Sequence, residues 1–169
     1  MPGSGNEQLL PLPYSESWVV DFEFTAPSGG QQDPVCMLAI ELSSGRVIRL
    51  WADTLSELSE APFDTGPNTL FVAYFASVEI GCFLSLGWKV PDRILDLYCE
   101  FRAETNGISL TAGRSLICAL THYGLDAMSA TDKTEMRDLI LGGGPCCGGV
   151  IWPRSPVWNA VAPQLTCKR

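Results

Sequence analysis

The first ordered stretch of apolar and polar positions is Trp18–Phe24 (WVVDFEF). It is β-branched and aromatic, with acids at alternate positions, and predicts a central strand. Val35–Leu42 and Arg46–Trp51, separated by Ser43–Gly45, predict a hairpin. The three strands together predict an antiparallel meander. The polar segment Ala52–Pro67 carries a short helix near Leu55–Glu60, and Thr69–Tyr74 (TLFVAY) predicts a short buried strand. In Ser77–Leu86 the apolar residues Val78, Cys82, Phe83 and Leu86 fall at helical spacing, with Ser77 as N-cap and Gly87 as terminator. A strand at Arg93–Leu97 runs into a helix from Tyr98 to about Glu104. Further helices are predicted over Leu110–Tyr123, with Gly124 at its C-terminal cap, and over Lys133–Leu141. A meander followed by alternating strands and helices predicts an α/β fold with a mixed sheet flanked by helices.

The flanks read differently. Residues 1–17 predict a loop, and the folded domain spans residues 18–141. The tail, residues 142–169, holds no Asp or Glu and has five Gly and four Pro in 28 residues, which predicts irregular chain. With 169 residues, 46% of them hydrophobic and 18% charged, the chain can bury one core and is not of the disordered class. No apolar run approaches the roughly 18 residues of a membrane span. No charged, apolar leader opens the chain. These features predict a cytoplasmic protein without membrane contact. The seven cysteines form no CxxC pair, so reduced thiols are expected rather than a zinc site. The net charge of −8 argues against a simple basic nucleic-acid-binding module. It argues less against a metal-dependent nuclease, where bound cations supply the positive charge.

Asp21-Phe22-Glu23 is the sharpest chemical feature. Residues i and i+2 of a strand face the same side, so the two carboxylates project together while Val20, Phe22 and Phe24 point to the core. Neighbouring carboxylates repel and lose hydration when buried, and a hard divalent cation relieves both costs. On an exposed strand face the same pair would be two ordinary solvated acids. Glu79, in the first turn of the Ser77–Leu86 helix, reads either as an acid placed by the helix macrodipole or as a third metal ligand.

His122 near a helix end, the Gly142–Gly144 run and Cys146–Cys147 read as structure or linker. Lys133 and Arg137, four apart on one helix face, read either as a solvated surface or as a contact to a nucleic-acid backbone.

The order of features is a strand with D-x-E, a hairpin, a strand, then a helix with an acid in its first turn. It resembles the 3′–5′ exonuclease (proofreading) domain of family A DNA polymerases, of the DEDD group, over roughly residues 18–144. The segment VAYFASVEIGCFLSLGWKVPDRILDLY is similar to the second motif region of that family. Phe75 stands there at the usual Asn position and Glu79 at the usual Asp position. Asp96 matches the Asp that follows the next short strand. The resemblance implies a ribonuclease H-like mixed sheet, an antiparallel β1-β2-β3 meander followed by parallel strands, truncated at its C-terminal end. It implies two-metal hydrolysis at a single-stranded nucleic-acid 3′ end, DNA in the family, with Asp21, Glu23 and Glu79 as catalytic metal ligands for Mg²⁺ or Mn²⁺. A polymerase is an implied partner.

The third motif of the family, a Tyr or His four positions before a last Asp, has no counterpart, because residues 142–169 contain no Asp, Glu, Tyr or His. A frameshifted or prematurely ended reading frame fits that departure, and so does a degenerate homologue. Glu in place of Asp at position 79 also lengthens a ligand by a methylene. Weak or absent activity in this chain is expected. The alternative function is a non-catalytic scaffold or interaction protein retaining the fold.

Overall fold

The computed structural model describes residues 12–27, 30–110 and 113–125. Its five-stranded mixed sheet is built from β1 (Glu16–Thr25), β2 (Asp33–Glu41), β3 (Val47–Trp51), β4 (Thr69–Ala73) and β5 (Ile94–Asp96). Four helices accompany it: α1 (Ala52–Glu57), α2 (Ala76–Ser85), α3 (Leu97–Glu104) and α4 (Leu116–His122). The strand order is β3-β2-β1-β4-β5. β1–β2 and β2–β3 pair antiparallel, while β1–β4 and β4–β5 pair parallel. The expected α/β class, the meander and the helix-flanked mixed sheet are therefore all present. The predicted helix over Lys133–Leu141, the tail and most of the predicted N-terminal loop lie outside the described residues. Among the described residues no helix is long and apolar enough to cross a membrane.

β1 lies between β2 and β4, and side chains of the first half of the strand pack on both faces of the sheet. Trp18, Val20 and Phe22 enter one core with Met37, Ala39, Leu55, Phe71, Phe83 and Trp88. Val19 packs on the opposite face with Leu70 and Val72, beneath Leu95, Leu97 and Leu116. This double burial explains why WVV is continuously apolar while DFEF alternates. The aromatic core is organised around Phe83, which meets Phe71 edge-on at 5.4 Å, Trp88 at 5.3 Å and Phe22 at 5.9 Å between centroids. Arrangements of this kind contribute about 0.5–1.5 kcal/mol per pair beyond burial.

Several predicted boundaries shift. β1 starts at Glu16, two residues inside the predicted loop, because it extends in register with β4 from Glu16↔Thr69 onward. α1 lies three residues earlier than expected. α2 begins at Ala76, so Ser77 is not its N-cap; Phe75 holds that position without a side-chain cap bond. α4 is shorter than the predicted Leu110–Tyr123, starting after Ser115, whose hydroxyl accepts the Cys118 N–H at 3.3 Å.

Candidate functional site

β1 has ten residues and β4 only five, and their pairing ends at Val19↔Val72. Beyond that point β1 continues through Asp21 and Glu23 with β2 on one side and no β4 on the other. The chain leaving β4 turns at Tyr74-Phe75 and enters α2, so the first turn of α2 stands where β4 would have continued. There the Phe22 N–H donates to Glu79 Oε2 at 2.8 Å. A carboxyl oxygen thus takes the place of the missing ladder acceptor, which a buried backbone donor requires.

Glu79 is 5% exposed. Its pKa is raised well above the ordinary value, first by burial and then by the charge of Asp21; the Phe22 N–H opposes this, and Glu23 adds to it. The three acids singled out from the sequence are therefore one electrostatic neighbourhood. Their geometry is not that of a coordination shell. Asp21 and Glu23 alternate with Val20 and Phe22 and belong to the Val19 face of the sheet. Glu79 comes from α2, whose Ala76, Cys82 and Phe83 pack on the other face. It meets the pair at the strand edge. Among the described residues no three His, Cys, Asp or Glu side chains are arranged to hold a metal ion.

Two buried thiols border this region. Cys36, paired with Glu23 across β1–β2, is pushed up to about 12 by burial and then by the Glu23 charge. Cys82 is pushed up to about 12 by burial and then by Glu79. Both stay protonated and unreactive at neutral pH. No described cysteine is in a disulfide.

Asp96 is not turned to the acidic group. Its Oδ1 accepts the N–H of Phe75 at 3.1 Å, of Tyr98 at 2.9 Å and of Cys99 at 3.4 Å, and its Oδ2 accepts the Ala76 N–H at 3.1 Å. One carboxylate therefore caps the N-termini of both α2 and α3, satisfying donors that helices leave orphaned. Phe75 is held in the left-handed region at φ 71°, the one described non-glycine residue with positive φ. His122 closes α4 with its ring against Phe101 and Tyr123, at 5.5 and 5.2 Å, a packing role. Lys133, Arg137, Gly142–Gly144 and Cys146–Cys147 lie outside the described residues.

Reasoning from the sequence missed Glu41. This carboxylate is 3% exposed and accepts N–H bonds from Ser17, Ser43 and Ser44 and the Ser44 hydroxyl. The string Glu41-Leu-Ser-Ser-Gly45, an acid before a Ser-rich turn, was the available signal.

Comparison of the chain with protein-family models, with curated proteins and with solved structures finds no match.

Proposed function

We propose that the chain is a ribonuclease H-like domain of the 3′–5′ exonuclease type, directed at single-stranded nucleic-acid 3′ ends, in which hydrolysis is weak or absent. The observation that supports this reading is that Asp21 and Glu23 of the central strand and Glu79 of α2 act on one another electrostatically, in a sheet of order β3-β2-β1-β4-β5. The antiparallel meander followed by parallel β4 and β5 supports the same reading. Weak or absent hydrolysis follows from two features. Glu79 already serves as the acceptor for the Phe22 amide. No third-motif acid can be assigned. DNA is the proposed nucleic acid, Mg²⁺ or Mn²⁺ the proposed ion, a polymerase the proposed protein partner and the cytoplasm the proposed compartment.

A second reading is a non-catalytic scaffold that keeps the exonuclease fold. The use of Glu79 as a backbone acceptor favours it, since that role needs no metal.

A thermal melt with and without Mn²⁺, beside Asp21→Ala, separates the two. A cation that binds only the folded state at a hundred times its Kd adds about 2.7 kcal/mol of stability. The exonuclease-type reading expects a Mn²⁺-dependent rise in wild type that vanishes in the variant, with hydrolysis of a labelled single strand near background. No shift in either protein would leave the scaffold reading. A robust Mg²⁺-dependent rate lost in Asp21→Ala would overturn the claim of weak chemistry.

A further inference from the structure

Phe75 combines two costs. A left-handed backbone at a residue with a Cβ costs about 1–2 kcal/mol, and a bulky side chain there is an outlier. The residue is also 44% exposed. Glycine or asparagine would hold the same turn with less strain and less exposed apolar surface. The conformation is imposed from outside the turn, because Asp96 takes the N–H of both Phe75 and Ala76.

The surroundings of the ring are aromatic. Phe75 meets Tyr98 at 4.9 Å with planes at 88°, and Tyr98 meets Tyr74 at 5.8 Å and 71°. The Arg102 guanidinium lies 5.6 Å from the Tyr98 centroid. The group stands over the entrance to α2, one turn before Glu79.

We infer that Phe75, backed by Tyr98 and flanked by Arg102, is a stacking platform for an unpaired base of a single-stranded nucleic acid. The inference rests on the proposed function, and names how the same end of the sheet would take hold of a strand. An exposed aromatic ring, backed by a half-buried one that carries a guanidinium, suits an unpaired base and its phosphate, since every base offers a π-face and Arg supplies the cation. The net charge of −8 opposes a polyanion, so phosphate contacts alone carry little affinity and stacking must contribute most of it. Asp96 opposes the phosphate only in part, because four N–H dipoles offset its carboxylate charge. Glu100 on α3 does oppose it, which favours a strand end over a long tracking groove.

The test uses the full chain in EDTA at low salt. Fluorescence anisotropy compares a short labelled deoxythymidine strand with an abasic strand of equal length, on wild type and on Phe75→Leu. The leucine keeps an apolar side chain and the backbone strain but has no ring. Wild type is expected to prefer the base-bearing strand by roughly tenfold or more. Phe75→Leu is expected to lose that preference while its melting temperature stays near that of wild type. Phe75→Gly, which removes ring and strain together, is expected to melt higher and to bind no better than Phe75→Leu. Equal binding of the two strands, no binding of either, or full binding by Phe75→Leu would overturn the inference. So would a change in oligomeric state in Phe75→Leu without a change in strand binding, which would mark the patch as a protein interface. The Mn²⁺ melt reports on the proposed function separately. Loss of stacking with the Mn²⁺ shift intact sinks only the platform, and the reverse sinks only the metal reading.

Discussion

Replacing Glu41 with Gln keeps shape and volume but removes a charge that four donors converge upon. Burial pushes this carboxyl up, yet the Ser44 hydroxyl and the N–H groups of Ser44, Ser43 and Ser17 outweigh it and bring the pKa from 4.5 down to about 2. The contacts are short: 2.6 Å to both Ser44 donors, 3.1 Å to Ser43 N and 3.2 Å to Ser17 N. A fall of that size corresponds to roughly 3 kcal/mol of stability at neutral pH. The Ser43–Ser44 turn is exposed and solvent screens part of the effect, so Glu41→Gln is expected to cost about 1–3 kcal/mol. In Gln an amide N–H₂ must also face at least one backbone donor, which places the loss toward the upper end. The melting temperature should fall by roughly 3–10 °C.

The pH dependence carries the sharper test. A carboxylate with a depressed folded pKa contributes stability that is present above its unfolded value and lost as pH falls toward the folded one. The gap between wild type and variant, measured by urea unfolding, should be constant above about pH 5 and close progressively between 4.5 and 2. A gap that is absent at pH 7, or that does not narrow in acid, would refute the assignment of Glu41 as an ionised clamp between the β1 start and the β2–β3 turn.

Glu79 should behave in the opposite sense. In metal-free buffer Glu79→Gln keeps an acceptor for the Phe22 N–H and removes the raised carboxyl, so the variant should match wild type below pH 4 and become the more stable of the two as pH rises toward neutrality. Paired urea titrations at pH 4 and 7.5 would show it, and a variant less stable at pH 7.5 would contradict the described burial. Asp96→Ala removes caps from two helices and is expected to cost about 2–4 kcal/mol, given that a single cap is worth about 1–2. Calorimetry would measure the loss, and one below 0.5 kcal/mol would show that water replaces the carboxylate.

The elements legible in the sequence were those encoded by neighbours along the chain. The β2–β3 hairpin announced itself by two apolar runs either side of Ser43–Gly45, where Gly45 has φ 70°. The orientation of Asp21 and Glu23 followed from the pleat alone, with Val20 and Phe22 buried opposite them as expected. What escaped reading depended on residues far apart in sequence. Ser77 looked like the cap of α2, but the cap arrives from Asp96, so the N-cap position falls at Phe75, two residues earlier than the local signal indicates. Glu79 was read as a candidate ligand. Its bond to Phe22 arises because β1 outlasts β4, a difference in strand length that no motif expresses. At Phe75 the sequence carries no signal of a left-handed backbone, which follows from the same Asp96 clamp.

The overhang of β1 has a consequence for how the molecule keeps to itself. A strand edge with open amides is a template onto which another chain can add, the route to swapped dimers and fibrils. Glu79 is placed against that edge like a stopper. It occupies the Phe22 amide and sets a poorly hydrated carboxyl where an incoming strand would lie. A truncating substitution such as Glu79→Ala would unplug the edge, and its first symptom would be self-association.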